Sequence, residues 1–206
     1  MPPSVDEQAL ISSAQQGDLD AFNQLVIHYQ SLAYHVAYRI LSDADASADA
    51  TQDAFLRAYQ AIGQYRGGSF KAWLLRIVTN TCYDQLRAKK RRPTASLEAL
   101  LVTDPVPGPS FVDQGESPEA YTERQELSRA IQAGLNTLPS DQRIALALCD
   151  VAGMNYQEIA EVTRVSLGTV KSRISRARTK LRDYLLGQQE LLPARYRLRD
   201  GTDVCR

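Results

Sequence analysis

Paired cysteines are missing from this chain. Its three cysteines, Cys82, Cys149 and Cys205, are odd in number and far apart, and no Cys-x-x-Cys pair occurs. That spacing argues against a disulfide framework and a zinc site, and it suits a reducing compartment. No apolar run approaches the roughly 18 residues needed to cross a bilayer. The opening residues, Met1-Pro2-Pro3-Ser4-Val5-Asp6-Glu7, lack the basic-then-apolar pattern of a signal peptide. A cytoplasmic chain without direct membrane insertion is expected. His28 and His35 have no metal-ligand companions, so both read as structural or surface residues, and neither metal nor cofactor is expected.

Basic residues are also scarce at first. Up to Leu56 the only Lys or Arg is Arg39, against Asp6, Glu7, Asp18, Asp20, Asp43, Asp45, Asp49 and Asp53. The formal net charge of the 206 residues is zero, which argues against a simple basic coat for nucleic acid. Charge then becomes concentrated. Arg87-Ala-Lys89-Lys90-Arg91-Arg92 is a basic run, and Arg164 to Arg182 contains no acidic residue. Different surfaces should therefore meet different partners, with nucleic acid at the basic ones.

Helical periodicity dominates the first ninety residues. Phe22, Leu25, Val26 and Tyr29 repeat at three and four, and Leu32, Val36 and Ile40 continue the pattern. Ala54, Phe55, Ala58 and Ile62 form a second stripe; Phe70, Trp73, Leu74, Ile77 and Val78 form a third. Breaks fall at Gly17-Asp18, at Ser42-Asp43 and from Gly63 to Gly68. Three or four antiparallel helices follow, with Trp73 read as core. Five prolines between Arg92 and Pro118 (Pro93, Pro105, Pro107, Pro109 and Pro118), with two glycines, predict a flexible linker. Helical pattern resumes near Pro118 and runs to about Leu186. The expected fold is all-α: two small helical domains, 5–92 and 118–186, joined by a linker over 93–117, with a tail over 187–206.

Asn155 to Arg182, NYQEIAEVTRVSLGTVKSRISRARTKLR, carries the strongest local signal. Asn155 followed by Glu158 forms a capping-box pattern for a short helix ending near Thr163. Ser166 can cap a second helix after a three- or four-residue turn, which gives a helix-turn-helix. In the second helix Val170, Ile174, Ala177 and Leu181 share a core stripe. Thr169, Ser172, Arg173, Arg176 and Lys180 cluster on another face, and Lys171 and Ser175 complete the candidate set. Such a face can enter a major groove, where Arg pairs with guanine while its neighbours hold phosphates. The plain alternative is a solvated basic face; the capped helix and tight turn before it favour a recognition helix.

The segment Tyr65 to Pro93, YRGGSFKAWLLRIVTNTCYDQLRAKKRRP, resembles the promoter-opening region of the extracytoplasmic-function, or group 4, sigma factors of bacterial RNA polymerase. Ala46 to Ile62, ASADATQDAFLRAYQAI, is similar to that family's polymerase-binding helix, and the C-terminal segment to its upstream-element reader. The resemblance implies an alternative sigma factor, not an enzyme. Its partners would be core RNA polymerase, duplex promoter DNA, the non-template single strand and an anti-sigma protein. Asp49, Gln52, Asp53 and Arg57 would dock on polymerase, although Asp49-Ala50-Thr51-Gln52 departs from the family's Asp-Leu or Asp-Val pair. Tyr65, Arg66, Gly67, Gly68 and Ser69 would form the loop that takes a flipped base, with Tyr65 open between stacking and core. Asn80 can offer an amide to a base edge. Arg76, Arg87, Lys89, Lys90 and Arg91 would track the backbone.

Two other classes compete. A helix-turn-helix repressor or activator would bind duplex operators without polymerase. A serine recombinase needs an early Ser nucleophile with activating arginines, but Ser4, Ser12 and Ser13 precede the first one, Arg39.

Overall fold

The computed structural model describes residues 6–91 and 117–188. The linker expected over 93–117, apart from Ser117, and the tail from residue 189 lie outside the described residues, as do Arg92 and Cys205. Every regular element described is helical: α1 (Glu7–Gln15), α2 (Leu19–Leu41), α3 (Ala44–Ala61), a 3₁₀ turn (Ile62–Gln64), α4 (Phe70–Arg91), α5 (Pro118–Asn136), α6 (Ser140–Asp150), α7 (Tyr156–Thr163) and α8 (Leu167–Gly187).

Short polar side chains start most of these helices. Asp6, Asp18, Asp43, Ser117, Asn155 and Ser166 each accept a hydrogen bond from a backbone N–H of the first turn. Each bond satisfies a donor that the helix itself leaves unpaired. Ser69 does the same for α4, its Oγ accepting from Ala72 N at 3.1 Å. Ser42 ends α2 in the left-handed region at φ 61°.

The N-terminal core is built where Phe22, Leu25, Val36 and Ile40 of α2 meet Ala54, Ala58, Leu74 and Val78, all nearly fully buried. Small residues on α3 let it approach α2 closely. Ala50 is itself completely buried, so the departure at that position concerns packing and leaves the exposed face of α3 unchanged. In the C-terminal half Ile144, Leu148, Ile159, Val170 and Ile174 form the equivalent interior. Gly134 permits contact between α5 and α8, since a Cβ there would lie 2.6 Å from Leu181 Cδ1.

The halves pack on one another, α2 against α6 and α4 against α7. Carbonyls at the end of α2, which no intrahelical donor reaches, are met from the other half. Arg143 Nη1 donates to Ile40 O at 2.9 Å, while its Nη2 donates to Asn136 O and Leu138 O at 3.2 Å. One guanidinium therefore caps two helix ends, where the dipole favours a cation. Gln132, 7% exposed, accepts from Arg39 Nη1 at 3.0 Å and donates to Ser42 Oγ at 2.8 Å. Replacing Gln132 by alanine leaves the half-buried Arg39 without that acceptor. A loss of about 1–3 kcal/mol is expected, with looser packing of the halves. Denaturant titration and the radius of gyration from small-angle scattering check it; both unchanged would remove Gln132 as a bridge.

Candidate nucleic-acid interface

The helix-turn-helix forms from local chemistry. Asn155 Oδ1 accepts from Gln157 N at 2.9 Å and Glu158 N at 3.0 Å, while Asn155 N donates to Glu158 Oε2 at 2.8 Å. This reciprocal cap opens α7 as its sequence spacing predicts. Arg164 closes α7 in the left-handed region at φ 55°. Ser166 Oγ then accepts from Thr169 N at 3.2 Å and opens α8. Val170, Ile174 and Ala177 are buried, and Leu181 packs against them.

Lys171, Ser175, Arg176 and Lys180 stand exposed on α8. The remaining members of the candidate set are already engaged. The Thr169 hydroxyl lies 2.9 Å from Ser166 Oγ, and Ser172 Oγ donates to Thr169 O at 2.9 Å. Arg173, also on the candidate face, is held by an ion pair within the protein. Its Nε is 2.9 Å from Asp141 Oδ2, and its side chain is only 22% exposed. It flanks the buried stripe, so its long stem folds against α6 instead of projecting. Arg178, which the sequence reading did not single out, pairs with Asp150 at 2.7 Å.

The second surface begins at the loop between α3 and α4. Arg66, Gly67, Gly68 and Ser69 are exposed. Gly67 and Gly68 have φ values of 95° and 92°, a region that side chains with a Cβ rarely adopt. Of the two readings open for Tyr65, this arrangement takes the core one: the residue is 5% exposed. Its ring lies edge-on to Phe70 and Trp73, with centroids 5.7 and 5.5 Å away, and its hydroxyl donates to Gly68 O at 2.7 Å. The apolar wall beneath the loop takes the ring inward. Trp73 is partly buried against Phe70 and belongs to the core, as its stripe predicts.

Along α4, half-buried Arg76 and exposed Asn80 and Arg87 share one side. The Arg87 guanidinium lies 6.0 Å from the Tyr83 ring centroid. Lys89, Lys90 and Arg91 occupy the exposed last turn, where they also complement the helix dipole. His28 is exposed beside Tyr29; His35 is half-buried near Ser31 and Arg39, and burial lowers its pKa.

On α3, Asp49, Gln52, Asp53 and Arg57 are all exposed. Arg57 pairs with Asp84 at 3.4 Å, with both side chains about half exposed, so solvent screens the contact heavily. Exposed apolar side chains share this helix: Leu56 and Tyr59 are 56% and 40% exposed, and α2 also exposes Leu19 and Ile27, at 54% and 68%. Tyr59 meets Phe22 of α2 edge-on at 5.0 Å, which joins the two helices. The sequence reading missed these residues. Their signal was an apolar side chain lying off the buried stripe.

Beneath the N-terminal half, the Tyr29 hydroxyl donates to the Glu7 carboxylate. Burial first, then Glu7, pushes the Tyr29 pKa above its usual 10.0. The folded protein therefore holds this proton more tightly than the unfolded chain does. The stabilisation is complete below about pH 10 and falls as pH rises through that value and beyond. The melting temperature should drop less steeply above pH 10 in Tyr29→Phe than in the parent. Equal slopes would show that Tyr29 does not contribute.

Comparison with known proteins places this geometry. Residues 25–92 match Sigma-70 region 2, and residues 128–181 match Sigma-70 region 4. The RNA polymerase sigma-H factor of Pseudomonas aeruginosa is 38% identical over 173 residues, covering 84% of this chain and 90% of that protein. The ECF RNA polymerase sigma-E factor of Escherichia coli K12 is 35% identical, covering 86% of this chain and 93% of that protein. Among solved structures, RpoE of Bartonella quintana bound to the anti-sigma factor NepR aligns with a TM-score of 0.63 at 26% identity, covering 81% of this chain and 98% of that one. CnrH bound to the cytosolic domain of CnrY gives the same score and identity, covering 87% and 96%. The chain belongs to the extracytoplasmic-function (ECF) family of RNA polymerase sigma factors and is an alternative sigma factor. Among the described residues no helix is long and apolar enough to cross a membrane.

Proposed function

We propose that this chain is a group 4 sigma factor of the cytoplasm that works by binding alone. It docks core RNA polymerase through α3, reads the promoter element near thirty-five base pairs upstream with α8, and opens the element near ten. One observation carries the reading: two exposed surfaces of different chemistry lie on separate helical modules. Lys171, Ser175, Arg176 and Lys180 on α8 suit a duplex groove. The Arg66–Ser69 loop, with Arg76, Asn80 and Arg87 beside it, suits a single strand whose bases are splayed. On α3, Asp49, Gln52 and Asp53 beside exposed Leu56 and Tyr59 offer a mixed apolar and acidic patch of the kind that protein partners cover.

Domain boundaries at 5–92 and 118–186, with the linker between, follow from this division of labour. Elements about 25 base pairs apart are roughly 80–90 Å apart along duplex DNA, at about 35 Å per turn. The packed arrangement, joined by the hydrogen bonds of Gln132 and Arg143, is read as a resting form that opens on polymerase to reach both elements. The same packed form is what an anti-sigma protein would hold. Weak DNA binding by the free chain follows, since each module offers a small surface.

A gel shift on promoter duplex with and without core enzyme tests this reading. Tight, specific complexes are expected only with core enzyme. Equally tight binding by the free chain would favour a polymerase-independent regulator instead.

A further inference from the structure

The first helix lies outside both matched regions, which begin at residues 25 and 128. Nothing in the division of labour above requires it, yet it touches the loop that division depends on. Gln15, the last residue of α1, donates from its Nε2 to Ile62 O at 3.1 Å and to Tyr65 O at 2.9 Å. Those two carbonyls bracket the 3₁₀ turn that leads into the Tyr65–Ser69 loop. Ile62 O also accepts from Tyr65 N at 3.1 Å, so the turn is closed from within and clamped from outside.

The chemistry suits a two-donor group. Carbonyls at a helix end lack intrahelical partners, and a carboxamide can serve two of them with its two N–H bonds. The rest of α1 holds Gln15 in place. Asp6 caps the helix, Ile11 and Ala14 are buried, and Glu7 accepts from the Tyr29 hydroxyl. Tyr29 in turn packs on Phe70, with ring centroids 5.5 Å apart, at the start of α4. The loop is thus fixed at its entry by Gln15, across its middle by the Tyr65 hydroxyl on Gly68 O, and at its exit by the Ser69 cap.

We propose that α1 is the brace of the base-capture loop and that Gln15 is a positioning residue for selecting the unpaired base. Gln15 acts through the loop and touches no DNA. This rests on the reading that residues 65–69 take a flipped base. A capture pocket discriminates bases only while its walls are held in place, because a mobile loop can accommodate the wrong base edge.

The test uses holoenzyme reconstituted from core polymerase and the full chain. Open-complex formation is measured on promoters carrying each of the four bases at the non-template position the loop takes. Gln15→Glu keeps the size but sets a carboxylate against two carbonyls, and Gln15→Ala removes the donors. Both are expected to lower the ratio between preferred and disfavoured bases about tenfold, the effect of losing one or two net hydrogen bonds. Upstream duplex affinity and core affinity should stay unchanged. Gln15→Lys retains donors and lacks an acceptor, so it is expected to preserve the ratio; any uniform gain in phosphate attraction cancels. The brace is overturned if Gln15→Glu and Gln15→Ala keep the parental ratio, or if Gln15→Lys loses it as fully as Gln15→Glu.

Gly68→Ala separates this from the underlying reading. An added Cβ there meets nothing within 4 Å, so only the backbone at φ 92° is strained and the loop shifts. If Gly68→Ala loses the ratio while the Gln15 variants keep it, the loop captures the base and α1 does not brace it. If the parent itself shows no base preference, base capture and brace fall together.

Discussion

Replacing Arg176 by alanine is expected to weaken recognition at one upstream base pair by about 1–3 kcal/mol, a factor of about 5 to 150, and to relax discrimination there. The side chain is exposed on α8, two turns or less from Lys171, Ser175 and Lys180. Such a guanidinium can form two parallel hydrogen bonds to one guanine edge without first breaking an internal contact. Arg173 gives the contrasting case. It is bound to Asp141 at 2.9 Å, so Arg173→Ala removes an ion pair between α6 and α8. That variant should lower thermal stability, and its effect on affinity should not be confined to one base pair. Titration of holoenzyme against base-substituted promoters checks both. Undiminished discrimination in Arg176→Ala would remove it from the reading face.

The second large effect is expected at the end of α4. Replacing Lys89 and Arg91 together should weaken opening on all promoters alike, since cations that meet phosphates carry no sequence information. Both are exposed in the last turn. Losing two single-strand phosphate contacts should flatten the log–log salt dependence by about 1.4, at about 0.7 per contact. Permanganate reactivity of the opened bases, followed across a salt series, gives both quantities. An unchanged slope would make these residues no more than a solvated helix end.

Sequence revealed most where the controlling interactions are local. Asn155 and Glu158 are three residues apart, and their reciprocal cap forms where that spacing places it. Ser166 opens α8 for the same reason, and the buried stripe of Val170, Ile174 and Ala177 follows from helical periodicity alone. The all-helical class follows from the same periodicity. Distant partners could not be read in this way. Whether Tyr65 faces solvent or core depends on Phe70, Trp73 and the carbonyl of Gly68, which the chain brings together only once the turn has formed. Arg173 looks like its exposed neighbours until Asp141, 32 positions earlier, is placed beside it.

Contacts between the halves were further out of reach. Gln132 and Arg39 are 93 positions apart, and a glutamine in an amphipathic helix gives no sign that it will be buried against an arginine. Gln15 is similar: its role appears only when α1 is laid across the turn that follows α3. On α3 the acidic and amide residues are legible in the sequence, but the exposure of Leu56 and Tyr59 on the same helix is not. Leu56 and Ile27 look like ordinary helix residues until the buried side of each helix is known.

Run-off transcription on a library of promoter fragments, with purified core polymerase and this chain as the sole initiation factor, tests the central claim most directly. Discrete transcripts are expected from promoters sharing an upstream and a downstream element, and none from core enzyme alone. A chain that neither co-purifies with core polymerase nor yields any transcript would contradict the account.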